Sequence, residues 1–156
     1  MKKITLLTSL ALAALLTAPA HSASVSNPFN VAINLTSVCR LSAITDVVFN
    51  YTAFQTGAQP STGGGFTLQC TSGVAHTMGL VLGTAAGPGA TSITTTDSAV
   101  NLAYTLTTPT VVAANGAALT YSIGGSMAAA QAGTCAIGSC TNGAATNKAY
   151  TLYITY

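Results

Sequence analysis

The sequence predicts an all-β protein, an antiparallel β-sandwich built from short strands. Apolar residues recur at every second position in several separate runs, which is the pattern of half-buried strands. Turns rich in Gly, Pro and Asn separate these runs, and beyond the N-terminal region no segment keeps helical spacing over the length that a stable helix needs. About seven short strands joined by such turns favour a sandwich over other architectures.

The alternating runs define the predicted strands in chain order. In one of them Phe66 and Leu68 alternate with Thr67 and Gln69, so that one face is apolar and the other polar. The run that ends near residue 51 alternates less regularly than the others. The predicted strands are 25–35, 44–51, 66–70, 78–82, 100–106, 119–123 and 150–156.

Strong breakers lie between the predicted strands. They are the glycine-rich pieces 63–65, 87–89 and 124–125 and the Asn-Gly pairs 115–116 and 142–143. Of these, the Asn-Gly pair 115–116 lies between apolar runs and is a hairpin signal. The Ala-rich piece 126–132 suits a single helical turn.

The N-terminus has the pattern of a secretory signal peptide. Lys2 and Lys3 precede an apolar stretch, residues 6–16, that is too short to span a bilayer, and small residues follow it. We therefore predict that residues 1–23 direct export and are removed. The cleavage sites that fit the small-residue rule follow Ala20, Ser22 or Ala23.

The exported part of the chain carries almost no charge. Charged residues make up 4% of the sequence, and after removal of the signal peptide they are Arg40, Lys148, Asp46 and Asp97. The formal net charge then falls to about zero, so no basic patch remains to attract nucleic acid, and no nucleic-acid partner is expected. Such a surface has little electrostatic protection against self-association, which a subunit packed against copies of itself tolerates.

Four cysteines follow the predicted signal peptide, which indicates disulfides. Three pairings are possible, and we predict Cys39–Cys70 and Cys135–Cys140. A metal site is the competing interpretation. However, the cysteine spacing is not C-x-x-C, and His76 is the one histidine that remains in the chain whichever cleavage site is used. No metal or cofactor is therefore expected.

The exported chain offers few residues for catalysis. It has no Glu, its two carboxylates are Asp46 and Asp97, and no Gly-x-Ser-x-Gly motif is present. His76 fits an ordinary histidine at a strand edge, and the glycines 63–65 lack the Lys and the helix of a phosphate-binding loop. We therefore do not predict an enzyme.

The two ends of the chain suggest a strand that is shared between molecules. The last run is still in phase at Tyr156, and Phe29, Val31, Ile33 and Leu35 share one face of the first. The first run is either the domain's own first strand or a strand that it donates to a neighbour by β-strand addition. Periodicity alone favours the first alternative. In the second, head-to-tail pairing does not close on itself and builds a fibre.

Four stretches resemble one known family in order and in spacing. They are FNVAINLTSVC at 29–39, GFTLQCT at 65–71, NLAYTL at 101–106 and YTLYITY at 150–156. Together they cover most of the exported chain and resemble the spore coat protein U domain, which is found in subunits of archaic, Csu-type chaperone–usher pili. The chain departs from that family in lacking Trp, in having Asn147-Lys148-Ala149 before the last strand, and in its second cysteine pair.

The resemblance implies an incomplete immunoglobulin-like β-sandwich completed by donor-strand exchange. It implies a donor segment at 24–35, a pilin domain at 36–156, and Cys39–Cys70 as the usual disulfide. The acceptor groove would be lined by the strand around Cys39 and by the last strand. The donor residues would be Phe29, Val31, Ile33 and Leu35, and the acceptor residues would be Leu152, Ile154 and Tyr156.

The same resemblance implies partners, a location and a function. The partners would be further copies of the chain, a periplasmic pilus chaperone, an outer-membrane usher and a tip adhesin subunit. The protein would pass through the periplasm to the cell surface as a structural subunit of a fimbrium that supports attachment and biofilm formation. The alternative is a stand-alone secreted β-sandwich that acts as a binding or coat protein.

Overall fold

The computed structural model describes residues 25–85 and 87–156. Their regular secondary structure is entirely β, and every strand pair is antiparallel, as the sequence predicts. The helical turn predicted at 126–132 is wrong, because its first residues continue a strand and the rest form a turn. No helix in this described part is long and apolar enough to cross a membrane. The predicted signal peptide, residues 1–23, lies outside the described residues.

Short strands make up the fold. In chain order they are β1 (Cys39–Leu41), β2 (Val47–Val48), β3 (Gln59–Pro60), β4 (Thr62–Gly63), β5 (Gly65–Cys70), β6 (Thr77–Leu82), β7 (Ser92–Thr96), β8 (Ala103–Thr107), β9 (Ala118–Ser122), β10 (Gly124–Met127) and β11 (Tyr150–Thr155). Residues 35–156, which contain all of these strands, form one compact unit.

The strands pair in sheets whose arrangement is consistent with a β-sandwich. One sheet has the order β1-β5-β9, a second has the order β3-β10-β8-β7, and β6 pairs with β11 and β2 with β4. Ile123 alone separates β9 from β10, so one extended stretch takes part in two sheets. An isolated bridge between Leu80 and Ala90 connects β6 to the chain just before β7.

The core follows the predicted alternation. In β5, Phe66, Leu68 and Cys70 are buried while Thr67 and Gln69 are exposed. Burial of each large apolar side chain contributes about 1.5–3 kcal/mol to folding before the loss of conformational entropy is counted. The buried apolar residues are Phe66, Leu68, Cys70, Met78, Leu80, Tyr104, Leu106, Ala114, Tyr121, Ile123, Met127, Ala145 and Leu152.

The glycine run 63–65 breaks a strand rather than joining two strands, which differs from the predicted turn. Gly63 and Gly64 have φ of 78° and 71°. On the two sides of Gly64, β4 pairs with β2 and β5 pairs with β1. A Cβ at Gly63 would overlap the carbonyl oxygen of Asp46. Glycine is therefore required here to let the strand kink while pairing continues.

Several other strand predictions differ from the structure. Residues 25–35 form no strand, and of 44–51 only Val47–Val48 does so. The strand predicted at 100–106 begins at Ala103, because 97–102 forms a turn. The hairpin predicted at the Asn-Gly pair 115–116 is wrong, since β9 pairs with β5 and not with β8.

Both predicted disulfides are confirmed. Cys39–Cys70 joins β1 to β5 at a directly paired position, and Cys135–Cys140 closes a small loop between β10 and β11. Their sequence separations are 31 and 5 residues. On the chain-entropy model the longer loop stabilises more, by about 4 kcal/mol against about 2 kcal/mol.

Removing the two disulfides separately should therefore have unequal effects. We expect a Cys39→Ser/Cys70→Ser chain to lose about 4 kcal/mol of its free energy of unfolding, and a Cys135→Ser/Cys140→Ser chain about half of that. Urea unfolding of the two variants measures the difference. Equal losses from the two pairs would contradict this account.

Candidate functional site

The candidate site is a pair of strand edges. Backbone pairing connects β1, β5 and β9, and the chain then continues directly from β9 into β10. From β10, pairing continues through β8 to β7, and the bridge at Ala90 connects the chain before β7 to β6, which pairs with β11. Among the described strands, β1 pairs only with β5 and β11 pairs only with β6. Each therefore presents one row of unpaired N–H and C=O groups. We refer to these two edges, one of β1 and one of β11, as the seam.

The two edges of the seam run in opposite directions. β1 begins where β5 ends, since Cys39 pairs with Cys70, and β11 ends where β6 begins, since Thr155 pairs with Thr77. The connection 71–76 between β5 and β6 contains a tight turn. The start of β1 and the end of β11 therefore lie at the same end of the domain. A strand antiparallel to β11 would begin at this end and run in the direction of β1.

The predicted donor residues carry apolar side chains that lie in solvent. Residues 25–38 have no regular secondary structure in the described chain. Exposed apolar side chains of this size are a marker of interaction surfaces when they occur together. The exposed fractions are 85% for Phe29, 73% for Val31, 85% for Ile33 and 81% for Leu35.

The predicted acceptor residues lie on or directly after β11. Leu152 is only 8% exposed and pairs with Leu80, so it belongs to the core. Ile154 is partly buried against that core, and Tyr156 follows the strand and is 58% exposed. Leu152 and Ile154 thus tie β11 to β6, whereas Tyr156 is accessible at the end of the domain where β1 starts.

A polar network fixes the chain just before β11. The side-chain Nδ2 of Asn147 donates to the carbonyl of Thr96 at 2.8 Å, and its Oδ1 accepts from the amide of Ser98 at 3.1 Å. The hydroxyls of Tyr104 and Tyr150 lie 3.0 Å apart. Burial, and then this contact, raise the pKa of Tyr104 well above its usual value. The start of β11 is therefore held to the β7–β8 turn by contacts that the sequence pattern did not reveal.

Asp97 is the centre of this network. It is buried, and its Oδ1 accepts from the amides of Ala99 at 2.8 Å and Val100 at 3.0 Å. Its Oδ2 accepts from the side-chain amide of Asn142 at 3.1 Å. Burial alone would raise the pKa of this carboxyl, but these hydrogen bonds and the nearby ammonium of Lys148 outweigh it, so the pKa lies below its usual value.

Asp97 should make folding stability sensitive to acid. Because its pKa is lower in the folded than in the unfolded chain, the ionised carboxylate stabilises the fold fully above about pH 4. This contribution is lost as the pH falls below about 4 and through the pKa of the folded chain. We expect Asp97→Asn to be less stable than the original chain at pH 7, with a smaller further loss between about pH 5 and pH 3. Thermal unfolding measured from about pH 7 down to about pH 3 tests both effects. If the stability of the two chains fell equally with pH, the prediction would be contradicted.

His76 directly precedes β6, in keeping with the predicted strand-edge position, and it is buried beside a cavity. It is 8% exposed, its Nδ1 lies 3.5 Å from the carbonyl oxygen of Val74, and its Nε2 is buried without a hydrogen-bond partner. Leaving such an atom unpaired costs about 1–3 kcal/mol. The cavity has a volume of about 290 Å³ and is lined by residues 73–76, Val111, Ala113 and Ala114.

The two carboxylates considered for catalysis lie in different surroundings. Asp46 is exposed just before β2. The carboxylate of Asp97 accepts hydrogen bonds from the backbone amides of the turn that follows it. Within residues 25–85 and 87–156, no group of three or more His, Cys, Asp or Glu residues is arranged to hold a metal ion.

Comparison with known proteins adds no relative. No family model, no curated protein and no solved structure matches the chain.

Proposed function

We propose that the protein is a structural subunit of a surface pilus that polymerises by donating its N-terminal segment, residues 25–35, to the seam of the next subunit. In this proposal the domain is an immunoglobulin-like sandwich that lacks one strand. The observation that carries it is the combination, in one chain, of the unpaired edges of β1 and β11 with an exposed segment of alternating apolar residues.

The N-terminal segment has the side-chain pattern of a strand that inserts into a sheet. Phe29, Val31 and Ile33 lie on one face of an extended chain, and Asn30 and Asn34 lie on the other. Each of the large apolar side chains would contribute about 1.5–3 kcal/mol on burial, and the edge of β11 would supply backbone hydrogen bonds. Both contributions act against the conformational entropy that is lost when the segment becomes ordered.

The direction of the chain favours donation between molecules. Residues 35–38 enter β1 at the end of the domain where β11 finishes, so a subunit's own segment could pair with β11 only in the parallel sense. A segment from a neighbour can approach β11 in the antiparallel sense, which is slightly more stable per residue. Each subunit would then accept one strand and donate another, and this head-to-tail contact propagates as a fibre.

A subunit with an open seam needs protection before it assembles. Unpaired edges and exposed apolar residues promote uncontrolled association, and the low charge of this chain does little to prevent it. The proposal therefore includes a periplasmic chaperone that covers the seam, an outer-membrane usher at which the segment replaces the chaperone, and a tip adhesin subunit at the end of the fibre. Attachment and biofilm formation would follow from the fibre's location at the cell surface.

Deleting residues 24–35 tests this function. We expect the original chain to form fibres in electron micrographs and a ladder of multimers on unheated SDS gels, because exchanged strands dissociate slowly. The deleted chain should form neither. Fibres of normal appearance from the deleted chain, or a single monomer band from the original chain that folds without a chaperone, would contradict the proposal. The second outcome would instead favour a stand-alone binding or coat protein.

A further inference from the structure

We propose that the cavity beside His76 is a binding site for the beginning of a second copy's N-terminal segment, with Val25 in its apolar part and Asn27 bonded to His76. This inference rests on the proposed function and adds to it a site outside the two strand edges. It starts from the buried Nε2 of His76, which has no partner within the described chain.

The cavity lies at the end of the seam where an incoming strand would begin. His76 directly precedes Thr77, and Thr77 pairs with Thr155 near the end of β11. When Phe29 to Leu35 of a neighbour lie antiparallel along β11, the residues before Phe29 extend past Thr155 towards this end. Residues 25–28 reach about 13 Å when extended. In the proposal they continue past the end of β11 and enter the cavity beside His76, the residue that precedes Thr77.

The side chains of that extension match the cavity in chemistry. With a period of two, Val25 and Asn27 lie on the same face as Phe29, so they point inward when Phe29 does. The cavity walls consist of Gly, Val, Ala and His side chains and carry no carboxylate or ammonium group. Val25, which is 97% exposed in the subunit, fits such walls.

His76 supplies the polar contact. When Nδ1–H donates to the carbonyl of Val74, Nε2 of His76 is an acceptor that needs an N–H or O–H donor. The side-chain amide of Asn27 provides an N–H donor. Nε2 is enclosed in the isolated subunit, so the cavity wall must open slightly for Asn27 to reach it. The pairing then removes the cost of a buried polar atom left unsatisfied, which favours the assembled over the isolated subunit.

Two single charge substitutions in exposed residues test the site. Val25→Asp places a carboxylate on the inward face, and Ser26→Asp places the same charge on the outward face of the same extension. Both variants keep residues 29–35, so both should form fibres. We expect fibres of Val25→Asp to lose subunits in urea about tenfold faster than the original fibres, and those of Ser26→Asp to stay within about twofold.

A double-mutant cycle tests the contact with His76. Asn27→Ala should accelerate fibre dissociation in the original chain and should have no effect in a chain that carries His76→Phe, where Nε2 is absent. Fibres that form normally but dissociate at the same rate with Val25→Asp and Ser26→Asp would overturn this site and leave the proposed function intact. A failure of the original chain to form any fibre would overturn the proposed function itself.

Discussion

A chain that carries Val31→Asp and Ile33→Asp is expected to fold and to form no fibres. The two residues are exposed in the subunit, so the substitutions disturb no packing in the described domain. In the proposed fibre, both side chains enter a neighbour's core, and two unpaired carboxylates there would cost several kcal/mol. Electron microscopy and the ladder on unheated gels should therefore both show subunits alone.

The matched control places the same two charges on the other face of the segment. Asn30→Asp and Ala32→Asp add an equal net charge at neighbouring positions that would face outward from the sheet. We expect this chain to assemble. If both variants assemble equally well, or if both fail, then the alternation of the N-terminal segment does not determine assembly and the proposed donor face is wrong.

Moving residues 24–35 from the N-terminus to a position after Tyr156, behind a short Asn-Gly turn, is expected to give a stable monomer. An antiparallel partner of β11 starts where β11 ends, so a tight hairpin is long enough to return the segment along the seam. The relocated segment fills the subunit's own seam and is no longer free to enter another. Relative to the chain that lacks 24–35, the thermal midpoint should rise by about 20 °C.

The relocated chain has its own internal control. Val31→Asp and Ile33→Asp within the relocated segment should return the thermal midpoint to that of the deleted chain, since the turn and chain length are unchanged. Size-exclusion chromatography should show a monomer throughout. A tight turn permits antiparallel pairing with β11, and a long flexible linker also permits parallel pairing. If the relocated segment adds no stability with either connection, the seam does not accept it in either direction.

The strands that the sequence predicted well are those with one apolar and one polar face. In β5 and β11, large apolar residues at alternate positions predict both the strand and the face that is buried. β7 was missed because Ile93 is its single large apolar residue among Ser and Thr. β10 was missed because Gly124 and Gly125 resemble a turn, although Gly125 is in a strand whose neighbours Phe49 and Leu106 would clash with a Cβ.

The candidate site was only partly visible in the sequence. The last strand and the apolar face of residues 29–35 follow from local patterns, whereas Cys39–Cys70 was predicted as one of three possible pairings. The open edge of β1 and the network around Asp97 depend on contacts between residues far apart in the chain, which periodicity does not report. The cavity beside His76 likewise forms where the connections 71–76 and 108–117 meet, and a single histidine gave no signal of it.

Hydrogen exchange at the backbone amides of residues 29–35, measured in the subunit and in the fibre, tests the central claim most directly. These amides should exchange rapidly in the subunit, because the segment has no regular hydrogen bonding. In the fibre they should be protected at least a hundredfold, roughly the protection of the core strands, together with amides on the free edge of β11. Fibres in which residues 29–35 still exchange as fast as in the subunit would contradict donation of this strand.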